Sequence, residues 1–83
     1  MSTIQLTIQL NGATHPLAAG TTLSQLVATV TGRELLPTGK PADGGRLGVA
    51  VARNSGIVPR SQWSATALEL HDDIEIVTAV QGG

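Results

Sequence analysis

The chain opens with a strict alternation of apolar and polar residues over residues 4–10. Its apolar positions are Ile4, Leu6, Ile8 and Leu10. This period of two is typical of a β-strand with one buried face. Asn11-Gly12 follows at once, and this dipeptide favours the positive φ angles of a type I′ hairpin turn. The sequence therefore predicts a hairpin whose second strand covers residues 13–17 and whose apolar face needs a covering layer.

A single amphipathic helix is predicted after this hairpin. Thr22 and Gln25 have the spacing of a capping box. The apolar residues that follow at helical spacing are Leu23, Leu26, Val27 and Val30. We expect a helix over residues 23–31 that packs these four side chains on a sheet and ends at Gly32, which adopts the left-handed conformation easily.

Residues 36–46 read LPTGKPADGGR and are dense in proline and glycine. Such a composition predicts a loop without regular structure. With almost no apolar group to bury, this loop is expected to be mobile and dispensable for function. The alternative is that Lys40 and Arg46 contact a partner.

Alternation resumes over residues 47–54, which predicts a strand with Leu47, Val49 and Val51 on its buried face. The next predicted elements are a turn at residues 54–56 and a short edge strand at residues 57–58, which ends at Pro59. A turn of helix is expected around Trp63, a core residue. His71-Asp72-Asp73 is interpreted as a solvated polar connector, and residues 74–80 form the last strand.

One helix among four or five strands indicates an α+β fold of the β-grasp type, with one main helix on one face of a mixed sheet. The first and last strands would lie side by side and parallel at its centre. Because 83 residues suffice for only one domain, we expect a domain over residues 1–80 and a flexible tail over residues 81–83.

Composition excludes several functions. Five Lys and Arg against six Asp and Glu argue against nucleic acid and anionic membranes as partners. The two histidines lack metal-ligand spacing, no phosphate-binding loop is present, and no serine has a base nearby in sequence. We expect a cytoplasmic protein that binds neither metal nor cofactor.

The sequence ends in Gln81-Gly82-Gly83 directly after the last predicted strand. Glycine has no side chain, so an extended Gly-Gly can thread a narrow channel and present its carboxylate to another protein's active site. Gly83 is thus the candidate reactive residue, with Gln81 and Gly82 as its tail.

A partner surface is predicted beside this tail. If Ile74, Ile76 and Val80 point to the core, the alternate residues of the strand point outward. The resulting small apolar patch would consist of Val77, Ala79, Ala50 and Ala52. Such a patch is a plausible docking site.

Four sequence runs resemble the ThiS family, the sulfur-carrier proteins of thiamine biosynthesis. They are VARN at residues 51–54, IVPRSQW at 57–63, DIEIV at 73–77 and QGG at 81–83. The similarity is in register over residues 47–83, whereas the amino-terminal half agrees in pattern more than in residues. The loop at residues 36–46 is longer than is usual in that family.

The resemblance implies a ubiquitin-like protein that is a substrate of partner enzymes and not itself an enzyme. An adenylating enzyme of the ThiF type would use ATP to activate the Gly83 carboxylate. Sulfur from a donor protein such as a cysteine desulfurase would convert it to a thiocarboxylate, and a thiazole synthase of the ThiG type would receive that sulfur. Since the chain has no cysteine, a carboxyl-bound sulfur is the form that it could carry.

Two alternatives stay open at the level of sequence. One is the small subunit of molybdopterin synthase or another Gly-Gly sulfur carrier. The other belongs to a different class and is a ubiquitin-like modifier conjugated to lysines, or a plain β-grasp interaction module.

Overall fold

The fold is built on a five-stranded mixed sheet. The computed structural model describes residues 4–78. The strands are β1 (Gln5–Leu10), β2 (Ala13–Ala18), β3 (Val49–Arg53), β4 (Gly56–Ile57) and β5 (Asp73–Thr78). Helix α1 spans Leu23–Thr31, and a 3₁₀ helix spans Arg60–Ala65. The strand order is β2-β1-β5-β3-β4, which confirms the predicted α+β architecture and places β4 at an edge.

The first and last strands are neighbours and run parallel, as the sequence predicts. Their ladder pairs Gln9 with Asp73 and Leu10 with Ile74. Beyond Leu10 the side chain of Asn11 makes the hydrogen bonds to β5. Its Oδ1 accepts from the Ile76 N–H (2.8 Å), and its Nδ2 donates to the Ile76 carbonyl (3.3 Å). Asn11 therefore lengthens the parallel ladder as well as forming the hairpin turn, in which its φ of 50° is positive as predicted.

Helix α1 begins and ends where the sequence predicts. Thr22 and Gln25 form the capping box, and Gly32 adopts the left-handed conformation with φ 70°. Three of the four predicted apolar residues are buried: Leu23, Leu26 and Val27. The expectation for Val30 is wrong, since its side chain is 46% exposed. It lies in the last turn of the helix and borders an open groove with Leu47 and Val49.

The core lies between this helix and one face of the sheet. Its buried residues are Ile8, Leu23, Leu26, Val27, Leu47, Val49, Val51, Trp63, Leu68, Ile74 and Ile76. Trp63 is 1% exposed, and its indole N–H donates to the Val58 carbonyl at 3.0 Å. The prediction that this tryptophan packs in the core is confirmed.

Asp72 corrects the interpretation of residues 71–73 as a solvated connector, because it is only 5% exposed. Its carboxylate accepts from Arg53 Nε (2.9 Å), Asn54 Nδ2 (3.2 Å) and the Glu69 N–H (2.8 Å). These bonds fix the start of β5 to the turn between β3 and β4. The two side-chain donors lie 18 and 19 residues away in sequence, so the local pattern gave no sign of them.

The pKa of Asp72 is lowered from its ordinary value of 3.8. Burial acts to raise it, but the hydrogen bonds from the Glu69 N–H, Asn54 and Arg53 prevail. Because the folded-state pKa lies below the unfolded one, the carboxylate stabilises the fold at neutral pH. That contribution is lost as the pH falls through the lowered value.

We expect Asp72→Asn to reduce the free energy of unfolding at pH 7 by about 2 kcal/mol, since it replaces charge-assisted hydrogen bonds and puts an amide donor against other donors. Urea denaturation measures this, and the deficit should shrink at a pH well below 3.8. Asp73→Asn changes the exposed neighbour and should stay within about 0.5 kcal/mol of wild type. Equal losses in the two variants would contradict the role given to Asp72.

Candidate functional site

A small apolar patch lies on the sheet face that points away from the helix. Ala50 pairs with Val77 and Ala52 pairs with Ile57, and paired residues share a face. Val77 is 59% exposed and Ile57 is 74% exposed. Ala50 is exposed and Ala52 is half-buried. We call these four residues the outer patch.

The strand alternation explains why the outer patch faces outward. Ile74 and Ile76 point into the core, so Val77 must lie on the opposite face. The structure thus brings together the predicted residues Val77, Ala50 and Ala52, whose role in partner binding stays a prediction. The remaining predicted site residues, Ala79, Gln81, Gly82 and Gly83, lie outside the described residues.

Sequence reasoning missed Ile57 as a member of this patch. The signal was present, because a two-residue turn at Asn54-Ser55 requires Arg53 to pair with Gly56 and Ala52 to pair with Ile57. Both turn residues do have positive φ angles, 50° and 71°. Ile57 therefore doubles the number of large apolar side chains on the outer patch.

The outer patch has acidic neighbours. Glu75 lies opposite Ala52, and Asp73 lies opposite Gln9, both on the outer face of the sheet. Their side chains are exposed. A surface that fits this face combines apolar groups with Lys or Arg side chains placed against Glu75 and Asp73.

A second feature is an open cavity of about 620 Å³ beside the carboxyl end of β5. It lies between the loop at residues 36–46, the segment that leads into β3, and Thr78. Its lining residues are Leu36, Lys40, Pro41, Ala42, Gly44, Gly45, Arg46, Leu47, Gly48, Arg60 and Thr78. Three of these carry positive charges and none carries a carboxylate, so among the residues described the cavity wall is cationic.

The loop that forms one wall of this cavity is hydrogen-bonded. The Leu36 N–H donates to Lys40 O (2.7 Å), and the Gly39 N–H donates back to Leu36 O (2.8 Å). Gly39 and Pro41 are buried. The expectation that the loop buries almost nothing is therefore wrong, whereas its absence of helix and extended strand is as predicted. Its mobility and dispensability stay predictions.

Gly39 anchors the loop on Arg60. Its φ is +87°, and a Cβ at this position would collide with the Cγ of Arg60 and approach its carbonyl oxygen to 2.7 Å. Arg60 in turn donates to Leu47 O (2.6 Å) and Val49 O (3.1 Å) and lies over the Trp63 ring, 5.3 Å from its centroid. The loop, the segment before β3 and the core tryptophan thus meet at one residue, Arg60.

Two chemical properties of the described residues bear on function. Residues 4–78 contain no group of three His, Cys, Asp or Glu side chains that could hold a metal ion. Over the same residues, no helix has the length and hydropathy needed to cross a membrane.

The five-stranded mixed sheet with one covering helix defines a ubiquitin-like β-grasp protein. The fold is similar to that of a thiamine biosynthesis protein (ThiS) from Geobacter metallireducens, with a TM-score of 0.66. That match covers 94% of this chain and 100% of the other at 19% sequence identity, so it concerns the fold alone.

The family is shown by the sequence itself. The ThiS family model matches residues 8–83, and the chain belongs to the ThiS family. No curated protein shows significant similarity to it. The family match includes both features of the site, the outer patch and the cationic cavity, and it extends through Gly82-Gly83.

Gly39→Ala should destabilise the protein by more than Gly44→Ala, because both residues have positive φ but only Gly39 has no space for a Cβ. Gly44→Ala should cost roughly 1–2 kcal/mol from its backbone conformation. Gly39→Ala should cost about 1–3 kcal/mol more from overpacking. Urea denaturation followed by Trp63 fluorescence tests this, since Arg60 contacts the indole ring. Equal stabilities would mean that the loop is not anchored on Arg60.

Proposed function

We propose that this protein carries sulfur on the carboxylate of Gly83 for thiazole formation in thiamine biosynthesis. The observation that carries the proposal is the ThiS family match, which runs through Gly82-Gly83. An adenylating enzyme of the ThiF type, a sulfur donor such as a cysteine desulfurase, and a thiazole synthase of the ThiG type would be its partners. The protein would act as their substrate and not as an enzyme.

The chemistry of a carboxylate explains why a partner must activate it. A terminal carboxyl group has a pKa of about 3.3 to 3.7 and is ionised at neutral pH, which makes it a poor acyl electrophile. When a carboxylate oxygen attacks the α-phosphorus of ATP, pyrophosphate leaves and an acyl adenylate forms. The persulfide sulfur of the donor then forms the C–S bond while the C–O bond to AMP breaks. A reducing thiol next cleaves the S–S bond of the resulting acyl disulfide, which leaves a thiocarboxylate on this chain and a disulfide on the thiols. The net change replaces one carboxylate oxygen with sulfur.

The fold supports this role through the position of β5. Thr78 pairs with Val49 at the end of the sheet, and five residues follow it in the sequence. Five residues span at most about 18 Å. A partner enzyme that binds the sheet can therefore act on Gly83 if its active site lies within that distance of Thr78.

The outer patch is the surface that we assign to this contact. Val77 immediately precedes Thr78, so a partner bound there is close to the start of the tail. Ile57 and Val77 supply apolar area, and Glu75 supplies a charge that can orient the partner. The partner surface that fits is apolar at its centre, with basic residues beside it.

The sulfur-carrier proposal is tested by mass spectrometry of the intact protein after incubation with a ThiF-type enzyme, ATP and a sulfur donor. We expect a gain of about 16 Da, the mass difference between sulfur and oxygen. Deletion of Gly83 should abolish the gain and leave the fold intact, because the described core lies within residues 8–76. Sulfur incorporation by the truncated protein would contradict the mechanism, and isopeptide products would indicate a modifier instead.

Val77→Asp should weaken binding to the adenylating enzyme or the thiazole synthase by at least about tenfold, because it places an unpaired charge in the contact. Its cost in stability should stay below about 1 kcal/mol at this exposed position. Leu70→Asp changes another exposed apolar residue, which precedes β5, and should leave binding unchanged. Titration calorimetry measures both, and equal affinities for wild type and Val77→Asp would exclude the outer patch.

A further inference from the structure

The side chain of Asn11 is part of the central pairing of the sheet. Its Oδ1 accepts from the Ile76 N–H at 2.8 Å, and its Nδ2 donates to the Ile76 carbonyl at 3.3 Å. Its backbone N–H also donates to the Ile74 carbonyl at 2.9 Å. The regular ladder between β1 and β5 contains two residue pairs, so the two bonds of this amide form a substantial part of the contact between the strands.

The residue after Asn11 makes the same amide chemically labile. In an Asn-Gly sequence, the backbone nitrogen of the glycine can attack Cγ of the asparagine, because no glycine side chain shields that nitrogen. The N–Cγ bond forms, the Cγ–Nδ2 bond breaks, and the amide leaves as ammonia with the proton of the glycine N–H. Water then opens the resulting succinimide at either carbonyl, which yields aspartate or isoaspartate.

We propose that Asn11 is a deamidation site whose amide is protected while β1 is paired with β5 and is lost when the two strands separate. The attack requires Cγ to turn toward the Gly12 nitrogen, and in the folded chain Ile76 holds both Oδ1 and Nδ2 away from such a turn. The turn itself is open, since Asn11 and Gly12 are exposed. Access of water therefore does not limit the reaction, and its rate follows the population of molecules in which the ladder is open.

Asn54 is the other asparagine of the chain and provides an internal comparison. It also lies in a hairpin turn at a φ of 50°. Its Oδ1 accepts from the Asp73 N–H at 2.9 Å, and its Nδ2 donates to the Asp72 carboxylate at 3.2 Å. The two turns thus both hold β5 through an asparagine amide, but Asn54 precedes Ser55, whose side chain hinders attack by its nitrogen. Asn11 is therefore the more labile of the two.

Deamidation of Asn11 changes the ladder that protects it. An aspartate is ionised at neutral pH, so it can still accept from the Ile76 N–H but has no donor for the Ile76 carbonyl. Isoaspartate adds one carbon to the main chain at the turn and shifts the side-chain group out of register. Both products weaken the pairing of β1 with β5, so each strand separation that ends in modification leaves a chain that opens more readily.

Peptide mapping by mass spectrometry tests the proposal on the full chain, incubated at one temperature and mildly alkaline pH in buffer and in denaturing urea. We expect Asn11 to lose its amide in urea and to lose it at least on the order of tenfold more slowly in buffer. Asn54 should react more slowly than Asn11 in urea. Gly12→Ala should slow the loss at Asn11 in urea, where the positive φ of residue 12 no longer matters.

Three results would overturn the proposal. Equal rates at Asn11 in buffer and in urea would show that the ladder does not protect the amide. An intact amide in urea would show that Asn11 is not a deamidation site. A rate at Asn54 equal to that at Asn11 in urea, or a Gly12→Ala chain that reacts as fast as wild type there, would show that Gly12 is not the cause of the lability.

A second measurement concerns the effect of the lost amide on the fold. Asn11→Asp should lower the urea midpoint of unfolding, because it removes the donor to the Ile76 carbonyl. Gln5→Glu makes the same chemical change at an exposed position of β1 that pairs with Ala18, and its midpoint should stay near that of wild type. Equal midpoints for the two variants would contradict the role given to the Asn11 amide. These readouts use neither a partner nor sulfur transfer, so they are independent of the proposed function.

Discussion

The parallel pairing of β1 with β5 is the interaction on which the rest of the structure depends. It joins strands separated by more than 60 residues, and the core can close only when they meet. The ladder itself contains two residue pairs, so it needs support at both ends. Asn11 extends it beyond Leu10, and Asp72 fixes the chain that enters β5. Two polar side chains thus hold the centre of a mainly apolar fold.

This central position of β5 also organises the surfaces around its end. On one side, Val77 joins Ile57 and the two alanines of β3 in the outer patch, next to the carboxylates of Glu75 and Asp73. On the other, Thr78 borders a cavity lined by cations. The segment that follows Thr78 therefore starts between an apolar, acidic surface and a cationic one. Under the proposed function, the outer patch receives the partner.

Local chemistry explains why much of the fold was predictable. Alternation at residues 4–10, the Asn-Gly turn, the capping box at Thr22 and Gln25, and the terminating Gly32 each act over a few residues. Their structural consequences appear where the sequence places them. The same holds for Trp63, because a single large apolar side chain in a small domain gains most from burial. Val30 is exposed although it lies on the apolar face of the helix. Periodicity predicts which face of a helix is apolar, but it does not predict how far the neighbouring elements cover that face.

The sequence by itself determined the secondary-structure elements, the buried faces and, through its similarity to the ThiS family, the candidate tail. Tertiary structure alone decided that Asp72 is buried, that Asn11 continues a ladder, and that Lys40 and Arg46 line the same cavity as Thr78. The physical reason is the distance along the sequence over which each interaction acts. Periodicity and turn preference act between neighbours in sequence, whereas hydrogen bonds to Asp72 and the charge of a cavity depend on residues brought together only when the sheet closes.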